Sequence, residues 1–143
     1  MKCTVVIDPA AEEEVLIRAK QHSTLVEDIE TLVRESDTDL IGYRDGEIAP
    51  LKLAEIYCFF AEGGKIYAQT VSEKWQMKQR LYALEAMLDH RFVKINQSCI
   101  VNVRHIKCFQ NSFVGGLTVT LQNGYRDYVS RRQLKSVKER MGL

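Results

Sequence analysis

Residues 92–106, which read FVKINQSCIVNVRHI, constrain the fold of this chain more than any other stretch. Apolar and polar side chains interleave along it, with Ile95 and Ile100 among the apolar residues and Lys94 and Gln97 among the polar ones. Such alternation predicts β-structure with one face buried. We therefore expect this stretch to lie in a sheet and the neighbouring chain to supply its partner strands.

Short strands joined by tight turns are predicted on both sides of that stretch. Asp45-Gly46 and Asn123-Gly124 are strong signals for two-residue hairpin turns, because such turns need positive φ, which Asn, Asp and Gly tolerate. The predicted strands are Leu40–Arg44, Glu47–Leu51, 53–61, 66–70, Leu117–Leu121 and 125–129. This pattern indicates a mainly β fold.

One helix is predicted inside this β-rich part, over residues 73–88, with Ser72 as its N-cap. Its apolar stripe consists of Trp75, Met77, Leu81, Leu84 and Leu88. Residues 130–141 are short and basic, and a helix is one alternative for them.

Residues 1–38 form a smaller unit of different character. Residues 3–7 (CTVVI) predict a strand that Asp8-Pro9 ends, and residues 10–20 fit either a helix start or a second strand. A helix follows from Ser23 or Thr24 to Ser36, and its apolar positions are Leu25, Ile29, Leu32 and Val33. Such a unit is too small to be stable alone, so we expect this strand/helix extension to pack on residues 39–143 or on a partner copy. The chain is then α+β overall.

The net charge of +1 conceals two oppositely charged parts. Residues 1–40 hold four Lys or Arg against ten Asp or Glu, whereas residues 41–143 hold sixteen against nine. A basic body fits a surface that binds a polyanion, and an acidic extension would stay away from that polyanion. The same charges would also fit an ordinary solvated surface.

The sequence argues against a membrane protein, a secreted protein and an enzyme. No stretch approaches the ~18 consecutive apolar residues of a spanning helix. The acidic run at residues 12–14 replaces the apolar core of a signal peptide, so we expect a cytoplasmic protein without membrane contact. No histidine accompanies a nucleophile motif, and neither a Walker pattern nor G-x-G-x-x-G is present.

The cysteines fit reduced thiols rather than a zinc module, because no two of them form a C-x-x-C pair. They are Cys3, Cys58, Cys99 and Cys108. We therefore expect no enzyme, no cofactor and no metal site.

From about residue 39 to residue 143 the sequence resembles the LytTR-type DNA-binding domain of bacterial response regulators. The most specific block is F-x-x-I/V-x-x-S-x-I-V-N-x-x-x-I, matched by Phe92, Ile95, Ser98, Ile100, Val101, Asn102 and Ile106. Residues 53–60 (LAEIYCFF), the helix around residues 81–88, the hairpin after Leu117 and the V-S-R-R at residues 129–132 resemble further blocks in the same order.

The resemblance implies an elongated sandwich of several short stacked β-sheets with one small helix. It also implies that loops, rather than a recognition helix, enter successive major grooves of promoter DNA, usually at direct repeats. The corresponding loops here are residues 62–65, 94–98 and 130–135. The DNA-binding residues that follow from them are Lys65, Lys94, Asn96, Gln97, Arg131, Arg132 and Lys135.

The chain departs from the family pattern at Gln97 and at the N-terminus, and Asn102, which matches the pattern, is a separate case. Where the family commonly has H-R-S, this chain has Asn96-Gln97-Ser98, and glutamine pairs with adenine where arginine would prefer guanine. Asn102 is expected to satisfy the backbone of a turn rather than to contact a base. Residues 1–38 are too short for the receiver domain that family members often carry, so the chain resembles a stand-alone form and phosphorylation control is not expected.

The function predicted from the sequence is that of a sequence-specific, double-stranded DNA-binding transcriptional regulator of the bacterial cytoplasm. The extension over residues 1–38 would serve as the contact of a homodimer or as a docking surface for a regulatory protein. The alternative is an interaction protein with the same fold that inhibits or sequesters a partner regulator. Gln97 and the bare Gly63-Gly64 turn leave that alternative open, since both weaken the expected DNA contacts.

Overall fold

The computed structural model describes residues 1–12, 14–37, 40–111 and 115–143, with the backbone alone for residues 34–37. The described helices are α1 (Thr24–Asp37), α2 (Leu81–Met87) and α3 (Arg131–Met141). The described strands are β1 (Leu40–Arg44), β2 (Glu47–Leu51), β3 (Cys58–Glu62), β4 (Lys65–Gln69), β5 (Lys74–Met77), β6 (Phe92–Asn96), β7 (Cys99–Asn102), β8 (Ile106–Asn111), β9 (Leu117–Leu121) and β10 (Arg126–Val129).

Seven strands form one antiparallel sheet in the order β2-β1-β5-β4-β3-β7-β6. The β1–β2 hairpin turns at Asp45-Gly46, whose φ angles of 47° and 81° confirm the predicted turn. Gly42 on β1 is needed for close packing. A Cβ at Gly42 would lie 2.7 Å from Leu51 Cδ1 and 2.8 Å from Trp75 Cβ, so any larger residue would displace its neighbours.

The other three strands form a second antiparallel sheet, β10-β9-β8, which packs on one face of the large sheet. The core between the sheets is built from Cys58, Phe60, Val93, Ile95, Cys99, Val101, Leu117, Val119, Leu121 and Val129, and is closed by Val137 of α3. A second core on the opposite face of the large sheet includes Phe59, Phe92, Ile100 and Leu84 of α2. Both faces are therefore covered, and the predicted mainly β, stacked-sheet fold is confirmed.

The predicted helix over residues 73–88 is wrong in its first half. Lys74–Met77 is strand β5, which pairs with β4 and β1, and α2 begins only at Leu81 with Arg80 as its N-cap residue. Trp75 and Met77 are buried while Lys74 is exposed and Gln76 half-buried. Two buried residues spaced two apart fit a strand. Pairing with the two neighbouring strands outweighs the helical spacing of apolar residues over 73–88.

Other predicted elements are shorter than expected or shifted. The predicted strand over residues 53–61 is divided into a 3₁₀ turn at Leu53–Glu55 and strand β3. Residues 130–141 do form a helix, α3, with Ser130 as its N-cap. Helix α1 is present as predicted, and Ser23 caps it by accepting a hydrogen bond from the Val26 N–H at 3.3 Å.

The strand predicted for residues 3–7 does not form. Val5, Val6 and Ile7 are 78%, 80% and 85% exposed, and no described strand pairs with them. Residues 10–12 and 14–20 likewise contain neither a helix nor a strand. A β-branched run cannot form a strand without a partner for its backbone groups. The predicted boundary between residues 38 and 39 lies outside the described residues. In the described part of the chain, every helix is too short or too polar to cross a membrane.

Candidate nucleic-acid interface

Two hairpin tips lie side by side at one end of the large sheet. β3 and β4 are joined by Gly63-Gly64, whose φ angles of 60° and 79° make a tight turn. β6 and β7 are joined by Gln97-Ser98. The Ala61 N–H donates to the Ser98 carbonyl oxygen at 2.9 Å, so the end of β3 is held against the second turn. Two of the three predicted loops therefore meet in the structure.

The start of α3 joins the same end of the sheet. The Ser130 N–H donates to the Ile95 carbonyl oxygen at 2.8 Å, which fixes the first residue of the helix to β6. The Ser130 hydroxyl accepts a hydrogen bond from the Gln133 N–H at 3.3 Å and so caps the helix. All three predicted loops thus converge at one end of the molecule.

Asn96 connects these loops from inside the protein. Its side-chain Nδ2 donates to the Tyr128 carbonyl oxygen at 2.8 Å, and its Oδ1 accepts from the Ser98 N–H at 2.8 Å. The residue is 1% exposed. Its amide group is therefore used within the protein, which places Asn96 behind the surface rather than on it, unlike the DNA-contacting position expected from the sequence.

Five of the seven side chains predicted to contact DNA are exposed in these three segments. Gln97 is exposed in the β6–β7 turn, and Lys65 is exposed at the start of β4, opposite Glu62 in the register of the hairpin. The carboxylate of Glu62 lies 3.4 Å from Lys74 Nζ. The remaining three are exposed on α3: Arg131, Arg132 and Lys135.

The first turn of α3 has an unfavourable charge arrangement for an isolated helix. It carries two arginines and no acidic residue. Helix N-termini favour anions, and a cation there costs about 0.3–1 kcal/mol when exposed. A phosphate bound between the N–H groups at the helix start and the two guanidinium groups would attract both, so the arginines would then be favourable there. The start of α3 is therefore suited to bind an anion.

Lys94 is not part of this cluster. Its Nζ lies 3.4 Å from Glu85 Oε2 of α2, and its side chain is 27% exposed. The register of β6 against β7 shifts between Lys94 and Asn96, so these two residues have different surroundings although they are two apart. Lys94 faces α2, and Asn96 reaches β10.

Tyr128 is a further exposed side chain beside these loops, and no sequence motif singled it out. This tyrosine is 61% exposed on β10, and its own carbonyl receives the Asn96 hydrogen bond. It borders a groove of about 330 Å³ that Arg131 and Leu134 of α3 also line. The alternation of Arg126, Tyr128 and the buried Val129 along β10 was the signal that could have placed Tyr128 on the outer side.

The opposite end of the large sheet holds the other polar residues of the 92–106 stretch. Asn102 is 1% exposed, donates to the Ile56 carbonyl oxygen at 3.0 Å and accepts from the Arg104 N–H at 3.0 Å, which confirms its predicted role in a turn. His105 Nε2 lies 2.7 Å from the Ala54 carbonyl oxygen. The Arg104 guanidinium binds Asp28 of α1. Arg104 and His105 are thus remote from the three converging loops.

The two buried thiols, Cys58 and Cys99, contact each other inside the core. Cys58 and Cys99 are both fully buried between the two sheets. A hydrogen bond with Cys58 and burial raise the pKa of the Cys99 thiol well above its usual range, so the thiol stays protonated. Among the described residues, no three His, Cys, Asp or Glu side chains are grouped as metal ligands.

In comparison with known protein families, residues 46–142 match the family described as the LytTr DNA-binding domain. HTH-type transcriptional regulators of Staphylococcus aureus strains MSSA476 and NCTC 8325 are each 32% identical to this chain over 146 residues, covering 100% of this chain and 99% of the relative. The solved LytTr DNA-binding domain of a Bacillus cereus response regulator superposes with a TM-score of 0.70 at 21% identity, covering 74% of this chain and 98% of that domain. That likeness concerns the fold.

Proposed function

This chain belongs to the LytTR DNA-binding domain family, and on that premise we propose that it is a transcriptional regulator that binds double-stranded promoter DNA in a sequence-specific way. In this proposal the two hairpin tips and the start of α3 enter successive major grooves at repeated sites. The DNA-binding domain comprises residues 39–143, and residues 1–38 are an extension that serves its association with partners, a second copy above all.

One observation carries the proposal. Separate segments of the chain, the Gln97 turn and the first turn of α3, are joined by the bonds from Asn96 to Tyr128 and from Ser130 to Ile95. These bonds hold an exposed amide and two exposed guanidinium groups on one rigid edge. A base-contacting group is effective when rigid elements position it, because little conformational entropy is then lost on binding.

The side chains take different roles in this proposal. Gln97 contacts a base edge, with adenine as the partner that its amide fits best. Arg132 contacts guanine or phosphate through its planar fork, and Arg131 assists it. Lys65 and Lys135 contact phosphates and contribute affinity rather than sequence discrimination. Asn96 positions the Gln97 turn, and Lys94, which is paired with Glu85, is left out of the interface.

The described helices support contact through turns rather than through a helix-turn-helix unit. α1 is separated from α2 by five strands, and α2 from α3 by another five, so no two of these helices are consecutive. A helix-turn-helix unit requires two consecutive helices joined by a short turn. In our proposal only the first turn of α3 approaches the DNA.

Salt-titrated footprinting with the full chain tests the proposal, using DNA fragments that include the region upstream of its own gene. We expect saturable protection at low salt, with the logarithm of the binding constant falling linearly as the logarithm of salt concentration rises. Arg132→Ala should weaken binding by about 1–3 kcal/mol. Lys52→Ala, which removes an exposed cation at the opposite end of the sheet, is the matched control and should retain binding. No protection at low salt would sink the proposal and favour the interaction protein.

A further inference from the structure

The segment between β5 and α2 brings further cations to the end of the large sheet that carries the two hairpin tips. Met77, the last residue of β5, pairs with Ile66 of β4. Lys78 and Lys65 each lie one residue beyond that pair, at the same edge of the sheet. Arg80 follows two residues later. The chain that leaves β5 therefore lies beside the β3–β4 tip.

Lys78 and Arg80 both face the solvent. They are exposed, whereas Gln79 between them is half-buried, and Arg80 has the extended backbone angles φ −76° and ψ 158°. In an extended segment alternate side chains lie on the same side. The Lys78 Nζ lies 4.7 Å from the centre of the Tyr43 ring. This cation–π contact holds the ammonium group over the sheet and leaves its N–H donors for an anion.

The charges of Lys78 and Arg80 are not balanced by nearby acidic groups. Neither residue takes part in an ion pair with a carboxylate of the described residues. Lys74 of β5 differs, because its Nζ lies 3.4 Å from Glu62 Oε1. Cations that lie close together on a surface attract a polyanion. Lys78 and Arg80, but not Lys74, therefore present uncompensated positive charge beside Lys65.

We propose that Lys78 and Arg80 contact backbone phosphates of the promoter DNA beyond the bases that the loops reach, so that the chain after β5 is a fourth contact segment. Two features favour DNA as the occupant: the charge is positive and unpaired, and the segment continues the edge that carries Lys65. Two residues of extended chain span roughly 6.6 Å, which matches about two base pairs of the duplex axis. Such phosphate contacts add affinity and fix the orientation of the protein without reading the sequence.

The strand order gives the position of these phosphates on the DNA. In the order β5-β4-β3-β7, three steps between neighbouring strands separate the end of β5 from the β6–β7 turn. Neighbouring strands lie about 4.8 Å apart, so the separation is roughly 14 Å. The duplex rises about 3.4 Å per base pair. The phosphates contacted by Lys78 and Arg80 therefore lie roughly four base pairs from the base that Gln97 contacts.

This inference rests on the proposed function, because it extends the same contact with DNA. The test is a salt titration of DNA binding by the full chain that carries Lys78→Ala and Arg80→Ala together. The slope of log binding constant against log salt concentration should become less steep by about two, at roughly 0.9 per phosphate, and affinity at 0.1 M salt should fall roughly ten- to hundred-fold. Base preference should not change. The matched control combines Lys20→Ala with Lys107→Ala, which removes two exposed cations elsewhere and should keep the wild-type slope.

A second measurement needs no variant to fold. Ethylation of single phosphates should block binding of the wild-type chain at positions roughly four base pairs from the base whose preference depends on Gln97. A wild-type chain that binds DNA without interference at these phosphates would overturn this inference and leave the proposed function standing. The same holds if the double variant keeps the slope of the control. A wild-type chain without saturable DNA binding at low salt would overturn both.

Discussion

The side-chain Nδ2 of Asn96 donates a 2.8 Å hydrogen bond to the main-chain carbonyl oxygen of Tyr128. This bond crosses from the end of β6 to β10, two strands that belong to different sheets. Because β10 leads directly into α3, the bond sets where the first turn of α3 lies relative to the Gln97 turn. A residue without surface exposure therefore determines the geometry of the surface.

Asn96→Ala should weaken both folding and DNA binding. It leaves the Tyr128 carbonyl oxygen and the Ser98 N–H without their partners, and an unsatisfied buried polar group costs about 1–3 kcal/mol. Urea unfolding measures the loss of folding free energy, and DNA affinity is measured under conditions where the variant remains folded. Gln97→Ala, one residue further and exposed, is the control, and its stability should change by less than about 0.5 kcal/mol. An Asn96→Ala variant with wild-type DNA affinity would contradict the positioning role.

Gln97→Arg should change base preference at one position of the binding site. The guanidinium fork pairs with guanine O6 and N7, whereas the glutamine amide pairs with adenine N6 and N7, and each good pair contributes about 1–3 kcal/mol of discrimination. Selection of binding sites from a randomised DNA pool measures the change. Gln97→Ala should lose the adenine preference without acquiring another. If all three proteins select the same sequence, Gln97 does not contact a base.

Asp89→Asn should destabilise the fold at neutral pH by about 3–5 kcal/mol, because it removes a carboxylate charge that faces a buried arginine. The Asp89 carboxylate accepts hydrogen bonds from Arg91 Nε at 3.1 Å, Arg91 Nη2 at 3.0 Å and the Arg91 N–H at 2.9 Å. Arg91 is 2% exposed. Urea unfolding at neutral pH measures the change. Asp45→Asn, at an exposed turn, is the matched control and should be nearly neutral.

The same ion pair should make the wild-type fold acid-sensitive. Burial alone would raise the pKa of Asp89, but the hydrogen bonds and charge of Arg91 outweigh it and hold that pKa below its ordinary value of 3.8. A carboxyl group with a lowered pKa in the folded state stabilises the fold above its unfolded pKa, and this contribution disappears as the pH falls through the folded pKa. Folding free energy measured against pH should thus fall more steeply below about pH 4 in wild type than in Asp89→Asn. Parallel curves would contradict this assignment.

Alkylation should distinguish the thiols by their surroundings. Cys3 is exposed and should react with iodoacetamide at mildly alkaline pH, whereas Cys58 and Cys99 should react only after unfolding. The cause is the raised pKa of Cys99, which the hydrogen bond with Cys58 and burial produce, together with the absence of solvent access. Mass spectrometry of labelled peptides measures the difference, and concentrated denaturant is the positive control. Rapid labelling of Cys99 in the folded chain would show that the core opens.

Local sequence was sufficient where a turn requires a particular backbone conformation. Asp45-Gly46 and the pair Gly63-Gly64 form tight turns with positive φ, because few other residues tolerate such angles. Ser23 and Ser130 cap helices as their side chains favour. Lys74–Met77 shows the limit of local sequence, since its two apolar residues fit the stripe of the following helix, whereas pairing with β4 and β1 makes the segment a strand.

The sequence by itself determined the mainly β character, the hairpin turns and the family, because these depend on alternation, on backbone angles and on an ordered set of motifs. The tertiary structure decided where Asn96, Lys94 and α1 point. A shift of register in β6 separates Asn96 from Lys94, although simple alternation places both on one face. The polar contacts of Asp28 and Thr31 with the body turn the leucines of α1 outward, whereas the sequence leaves open whether this helix packs on residues 39–143 or on a partner copy. Such choices depend on contacts between residues far apart in the chain, which local patterns do not contain.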